Sequence, residues 1–148
     1  MKNEVFNVLI CNGTEKILKN FFKHHIIQKH TRYYWNFGKS IPCSANNEYK
    51  LWGTTGLGKL FDMGIIEHIV FFSTNKTPAI DWVKNISPLY PEIEFNYTYR
   101  DEMEIKFQGE LIIKNGKIKN ESHTNLKKIN SYQKPNNYNI YIFQKLVY

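Results

Sequence analysis

Four groups of residues in this chain have types and spacings suited to chemistry. Gly53-Thr54-Thr55-Gly56-Leu57-Gly58-Lys59 has the spacing of a phosphate-binding loop, in which glycines let backbone N–H groups approach phosphate oxygens and a Lys pairs their charge. Position 60 is Leu where a magnesium-binding Ser or Thr is required, and too few residues follow Lys59 to open a helix. The segment therefore reads as a connection between strands. His24, His25, His30 and His68 carry imidazoles that titrate near neutral pH. His25 falls on an apolar helix face and His68 inside an apolar run, the settings of hydrogen-bonded core histidines. Glu92, Glu94, Glu102, Glu104 and Glu110 alternate along successive strands, a pattern suited to a cation or, more simply, to a solvated face that blunts a strand edge. No catalytic residue, metal site or cofactor is expected from these three groups.

The fourth group is different in kind. Lys29, Arg32, Tyr33, Tyr34, Trp35 and Lys39 interleave basic and aromatic side chains within a stretch, residues 28–50, that shows no sustained period. It reads as a long loop with a short hairpin near Tyr33 to Phe37. Tyr, Trp and Arg carry most of the energy of protein interfaces, and aromatics beside cations also stack and neutralise single-stranded nucleic acid. The alternative for these rings is to fold onto the sheet as a lid. These six residues are the candidate binding surface.

The elements that position them follow from periodicity. Glu4 to Cys11 and Ile65 to Phe72 are apolar on both parities, as in strands buried on both faces. Asn12-Gly13-Thr14 turns the first into a helix capped by Thr14, with Ile17, Leu18, Phe21, Phe22, His25 and Ile26 inward and Lys16, Lys19, Asn20 and Lys23 outward. Glu48 to Trp52 reads as a short strand. Thr77-Pro78 starts a second helix, carried by Ala79, Val83, Ile86 and Tyr90 and stopped by Pro88 and Pro91. Ile93, Phe95, Tyr97 and Tyr99 share one parity of a strand whose other parity is polar, nearer a sheet edge. Met103, Ile105 and Phe107 continue as a fifth strand, Asn115-Gly116 turns a hairpin, 120–137 is a polar connection, and Tyr138 to Tyr148 reads as a terminal strand over the helix-free face.

The order βαββαβ is the ferredoxin-like arrangement, an α+β fold with two helices on one face of the sheet. It predicts that 4–11 and 65–72 lie adjacent at the centre. Its core spans about 4–113, extended by a C-terminal hairpin and terminal strand over 114–148, within one domain of 148 residues. A hydrophobic content of 42% supplies a core, and no apolar run approaches the length of a membrane span. Cys11 and Cys43 make neither a metal spacing nor a disulfide framework. With no secretory leader pattern at the start, the expected location is the cytoplasm. The net charge of +7 favours an acidic partner. Charge is also segregated: residues 14–39 carry six Lys or Arg against Glu15, 114–148 carry seven Lys against Glu121, and 92–110 hold six acids against Arg100 and Lys106.

Leu51-Trp52-Gly53-Thr54, Phe72-Ser73-Thr74 before Thr77-Pro78-Ala79-Ile80, Leu89-Tyr90-Pro91-Glu92-Ile93-Glu94-Phe95 and Phe107-Gln108-Gly109-Glu110 together resemble the YubB-type ferredoxin-like domain of phages and conjugative plasmids. The resemblance covers about residues 49–112. Thr55-Gly56 and Asn75-Lys76 stand where that family carries Lys-Trp and Ala-Trp. The resemblance implies a ferredoxin-like fold and a mobile-element origin. With the residues above, it leads to a non-catalytic binding protein acting in the host cytoplasm. Its expected partner is a host protein or nucleoprotein complex, for example a defence system such as CRISPR that it inhibits, and not a membrane. Direct binding of single-stranded RNA or DNA is the alternative, and a small hydrolase comes third.

Overall fold

A computed structural model of the chain describes residues 4–101 and 107–125. Eleven helices and strands follow in the order β1 (Glu4–Asn12), α1 (Glu15–His25), β2 (Ile26–Lys29), β3 (Arg32–Trp35), α2 (Glu48–Trp52), β4 (Gly58–Ile66), β5 (Ile69–Asn75), α3 (Ile80–Ile86), β6 (Glu94–Asp101), β7 (Phe107–Lys114) and β8 (Lys117–Asn125). The strands form one eight-stranded sheet in the order β2-β3-β4-β5-β1-β6-β7-β8, and every pairing is antiparallel.

This corrects the expected architecture. The fold is mostly an eight-stranded antiparallel sheet with three short helices, not a two-helix ferredoxin-like βαββαβ unit. Four local readings account for the difference. The stretch 28–50 contributes to a hairpin, β2–β3, that adds two strands at one edge. Glu48–Trp52 is a helix rather than a strand, closed by Gly53 in the left-handed region (φ 82°), where its N–H bonds the Tyr49 carbonyl. The apolar run 65–72 is interrupted by a turn at Glu67 (φ 55°), so it supplies the end of β4 and most of β5. Residues 117–125, largely assigned to a polar connection, form β8. The expected positions of Met103 and Ile105 and of the terminal strand Tyr138 to Tyr148 lie outside the described residues.

Alternation decides which side chains meet. From β1, Val5, Leu9 and Cys11 point into the main core with Val70 and Phe72 of β5, Phe95, Tyr97 and Tyr99 of β6, and Leu111 and Ile113 of β7. All three helices cover this face, supplying Leu18, Phe21, Phe22, Trp52, Trp82, Val83 and Ile86. Val8 and Phe71 are buried in a smaller cluster on the opposite parity, with Phe6, Ile10, Phe61 and Ile69 around them. β6 is flanked by β1 and β7 rather than lying near an edge, and its Thr98 is buried although it belongs to the polar parity.

Two polar devices cross the sheet. Buried Asn7 donates to the Val5 and Phe72 carbonyls and to Thr74 Oγ1, and it accepts from the Tyr97 hydroxyl, which also accepts the Ala79 N–H. Buried amides that find hydrogen-bond partners for both their N–H and C=O groups stabilise one arrangement over its neighbours. Further along, Tyr99 on β6 reaches over Gly109 on β7 to His123 on β8, Oη to Nδ1 2.7 Å. His123 Nε2 then lies 2.7 Å from Glu121 Oε2, which Lys84 also meets at 2.7 Å. The hydrogen bond from His123 and that from Lys84 hold the Glu121 carboxyl below its ordinary range. A Cβ at Gly109 would stand 2.5 Å from Tyr99 Oη and 2.7 Å from the Ser122 carbonyl, so only glycine leaves room for this crossing.

Candidate functional site

The basic-aromatic residues are gathered at the β2–β3 end of the sheet by an abrupt junction. Thr14 caps α1 by accepting the Ile17 N–H, and the helix ends at His25. Ile26 is already extended (φ −89°, ψ 131°), so helix passes into strand with no loop between them. His30, in the left-handed region (φ 57°), turns the chain with Thr31. β3 then returns with Lys29 opposite Arg32 and Ile26 opposite Trp35.

His25 locks the junction. Its Nδ1–H donates to the Phe21 carbonyl (2.7 Å), because a carbonyl can only accept. Nε2 is therefore the acceptor for Ser40 Oγ–H (2.6 Å), and Ser40 Oγ in turn lies 3.2 Å from the Tyr90 hydroxyl. Burial lowers the imidazole pKa to about 4, leaving it neutral at pH 7. The ring stacks on Trp35, with centroids 5.1 Å apart and planes at 23°. Trp35 also lies parallel to Phe72 and edge-on to Trp82.

Trp35 is therefore fully buried, which removes it from the candidate surface. Its place in a polar-looking stretch hid an inward parity. The lid alternative applies to this ring, whereas Tyr33 stays 52% exposed. Lys29, Arg32 and Lys39 are exposed and Tyr34 is half-buried. Lys59, met in the sequence as part of a phosphate-loop spacing, stands in β4 opposite Tyr34 and joins the group. The remainder of that glycine segment is occupied otherwise, since the Gly56 N–H donates to Glu48 Oε1 at 2.7 Å. A carboxylate already sits where a phosphate would have to bind.

Two concavities flank the hairpin. One, of about 510 Å³, has Arg32, Tyr33, Lys59, Phe61 and Glu4 in its wall. The other, of about 390 Å³, runs between α1 and the outer strand β2 and is lined by Asn20, Lys23, His24, Ile26, Ile27 and Lys39. Among the described residues, none of Lys23, Lys29, Arg32, Lys39 and Lys59 takes part in an ion pair.

The other candidate groups disperse. His24 and His25 touch edge-on, while His30 is at the hairpin turn and His68 is in the β4–β5 turn, where its carbonyl accepts the Cys11 N–H. Glu94 pairs with Lys119, and Glu110 accepts from Asn120, as on a solvated face. No group of three or more metal-ligating side chains forms among the described residues. No helix among them is long and apolar enough to cross a membrane. Both cysteines are free, and burial pushes the Cys11 thiol far above its ordinary pKa.

No protein family, curated protein or solved structure matches this chain. The resemblance to the YubB-type domain rests on the motifs quoted above.

Proposed function

We propose that this is a binding protein that docks, through the β2–β3 end of its sheet, onto an acidic surface of a host protein or nucleoprotein. The observation that supports it is the set of five cations, Lys23, Lys29, Arg32, Lys39 and Lys59, left without ion pairs among the described residues around exposed Tyr33. Unpaired like charges repel one another, and an acidic partner relieves that repulsion while steering its own approach. The mount is rigid, because His25 and Trp35 fix the hairpin from beneath. Less ordering entropy is then lost on contact. Docking in this sense needs no reaction on the partner. In the setting the motif resemblance implies, a phage or other mobile element, the partner is a host complex such as a CRISPR-type defence nucleoprotein, which docking inhibits.

A second reading has its own observation. Arg32, Lys59, Tyr33 and Phe61 line one concavity together, a combination that also suits single-stranded RNA or DNA. Salt separates the two: phosphate contacts give affinity that falls steeply and linearly on a log–log salt plot. The test of docking is Lys29→Glu with Arg32→Glu. Capture of the host partner should fall at least about tenfold, a loss of roughly 1.4 kcal/mol, with the melting temperature held. Undiminished capture by the reversed variant refutes the reading.

A further inference from the structure

We infer that the partner supplies an extended acidic segment that adds as a ninth strand beside β2. This names the partner's chemistry and rests on the docking reading above. β2 is the terminal strand of the sheet, so among the described residues one side of its backbone faces no strand. Which groups are free follows from the turn. In a hairpin with a two-residue loop, the residues flanking the loop form a hydrogen-bonded pair, and the pairs alternate from there. Lys29–Arg32 and Ile27–Tyr34 are then bonded pairs, and the Gln28 N–H and C=O point outward. The Asn36 N–H bond to the His25 carbonyl, 2.7 Å, falls where this alternation requires one.

The outer side of β2 opens into the 390 Å³ groove. Among the described residues it is lined by Lys23, His24 and Lys39 with no carboxylate, and by Asn20, Ile26 and Ile27. Blunted edge strands are closed by a covering element or an inward charge. Here, among the described residues, no strand covers the outer side of β2. Main-chain hydrogen bonds give a strand-adding peptide its affinity, and alternate side chains give it specificity. The alternation this edge selects is acidic side chains on the helix-covered face, toward Lys23 and Lys39, and small β-branched ones on the opposite face, beside Ile27.

The test uses the whole chain and a synthetic peptide, acetyl-Glu-Val-Glu-Val-Glu-Val-amide, about the length of an ordinary strand. On binding, amide exchange at Gln28 should slow at least about tenfold, whereas a Lys-Val peptide of equal length should not bind. Gln28→Pro removes only the outward N–H, which an edge strand tolerates, and should weaken the peptide at least about tenfold. The same peptide N-methylated at every residue provides a second arm that leaves the protein unaltered, and it should fail to bind. Peptide binding that survives both Gln28→Pro and N-methylation overturns strand addition. It leaves the docking reading standing if Lys29→Glu with Arg32→Glu still loses the host partner. Absence of peptide binding by the parent protein overturns the inference outright.

Discussion

Replacing Trp35 by Ala separates a surface aromatic from a structural one. The indole is fully buried and touches five rings: Phe21 at 5.7 Å, Phe22 at 6.3 Å, His25 at 5.1 Å, Phe72 at 6.2 Å and Trp82 at 6.0 Å. Truncation removes the transfer energy of the largest side chain and leaves a cavity whose walls are held by three elements. Such changes cost about 3–5 kcal/mol. That is about a fifth or more of the stability of an ordinary domain, and in a chain of this size it lowers the melting temperature by roughly 10 °C. Tyr33→Ala, at a half-exposed position on the same strand, should stay within about 0.5 kcal/mol. Urea unfolding of both variants reads the contrast, with the slope checked for constancy. A Trp35→Ala loss below about 1 kcal/mol, or equal losses at the two positions, refutes the assigned parity of β3. A consequence for mapping the interface follows: a variant lacking both Arg32 and Trp35 confounds binding with folding, so Arg32→Ala with Tyr33→Ala is the informative pair.

Two further outcomes are expected. Gly109→Ala should cost about 1–3 kcal/mol through overpacking, because its Cβ would meet a backbone carbonyl and both partners of the Tyr99–His123 bond; a neutral result in thermal unfolding contradicts the crossing. His25 has a folded pKa near 4, below its unfolded value of about 6.5. The unfolded chain therefore binds the extra proton first, and stability complete above pH 6.5 falls toward pH 4, by up to about 3 kcal/mol. His25→Gln should be less stable yet flatter across that window, and an equally steep profile for the variant counts against burial of a neutral imidazole.

Much of the core was legible because alternation is a direct image of burial. Phe95, Tyr97 and Tyr99 of β6 and Leu18, Phe21, Phe22 and His25 of α1 are buried as their spacing predicts, with Ile17 half-buried beside them. What was not legible lacked a breaker. The α1–β2 junction has no Gly or Pro, so Ile26 simply extends a helical pattern, and His30-Thr31 is not a turn pair that composition marks. Glu67 turns the 65–72 run for the same unmarked reason. The five residues of α2 are too short for period to tell helix from strand, although Gly53 at their end is a helix-stop signal. Of the candidate surface, charge was legible and parity was not. Lys29, Arg32, Tyr33 and Lys39 are outward, while Trp35, one residue past Tyr34, turns in. Lys59 was hidden by 23 intervening positions from Trp35, and only the sheet register brings it beside Tyr34.

The loopless passage from α1 into β2 also bears on how such a surface changes over time. His25 and Trp35 carry the mechanical duty of the hairpin, and the residues between them that face outward carry almost none. The exposed side chains of Gln28, Lys29, Arg32 and Tyr33 are thereby left with little part in folding. A lineage pressed by a changing partner can rewrite those four positions without renegotiating its core, while His30 keeps the turn (φ 57°). The same separation makes the hairpin a graftable cassette: a library randomised there should yield new binders whose melting temperatures cluster around the parent's.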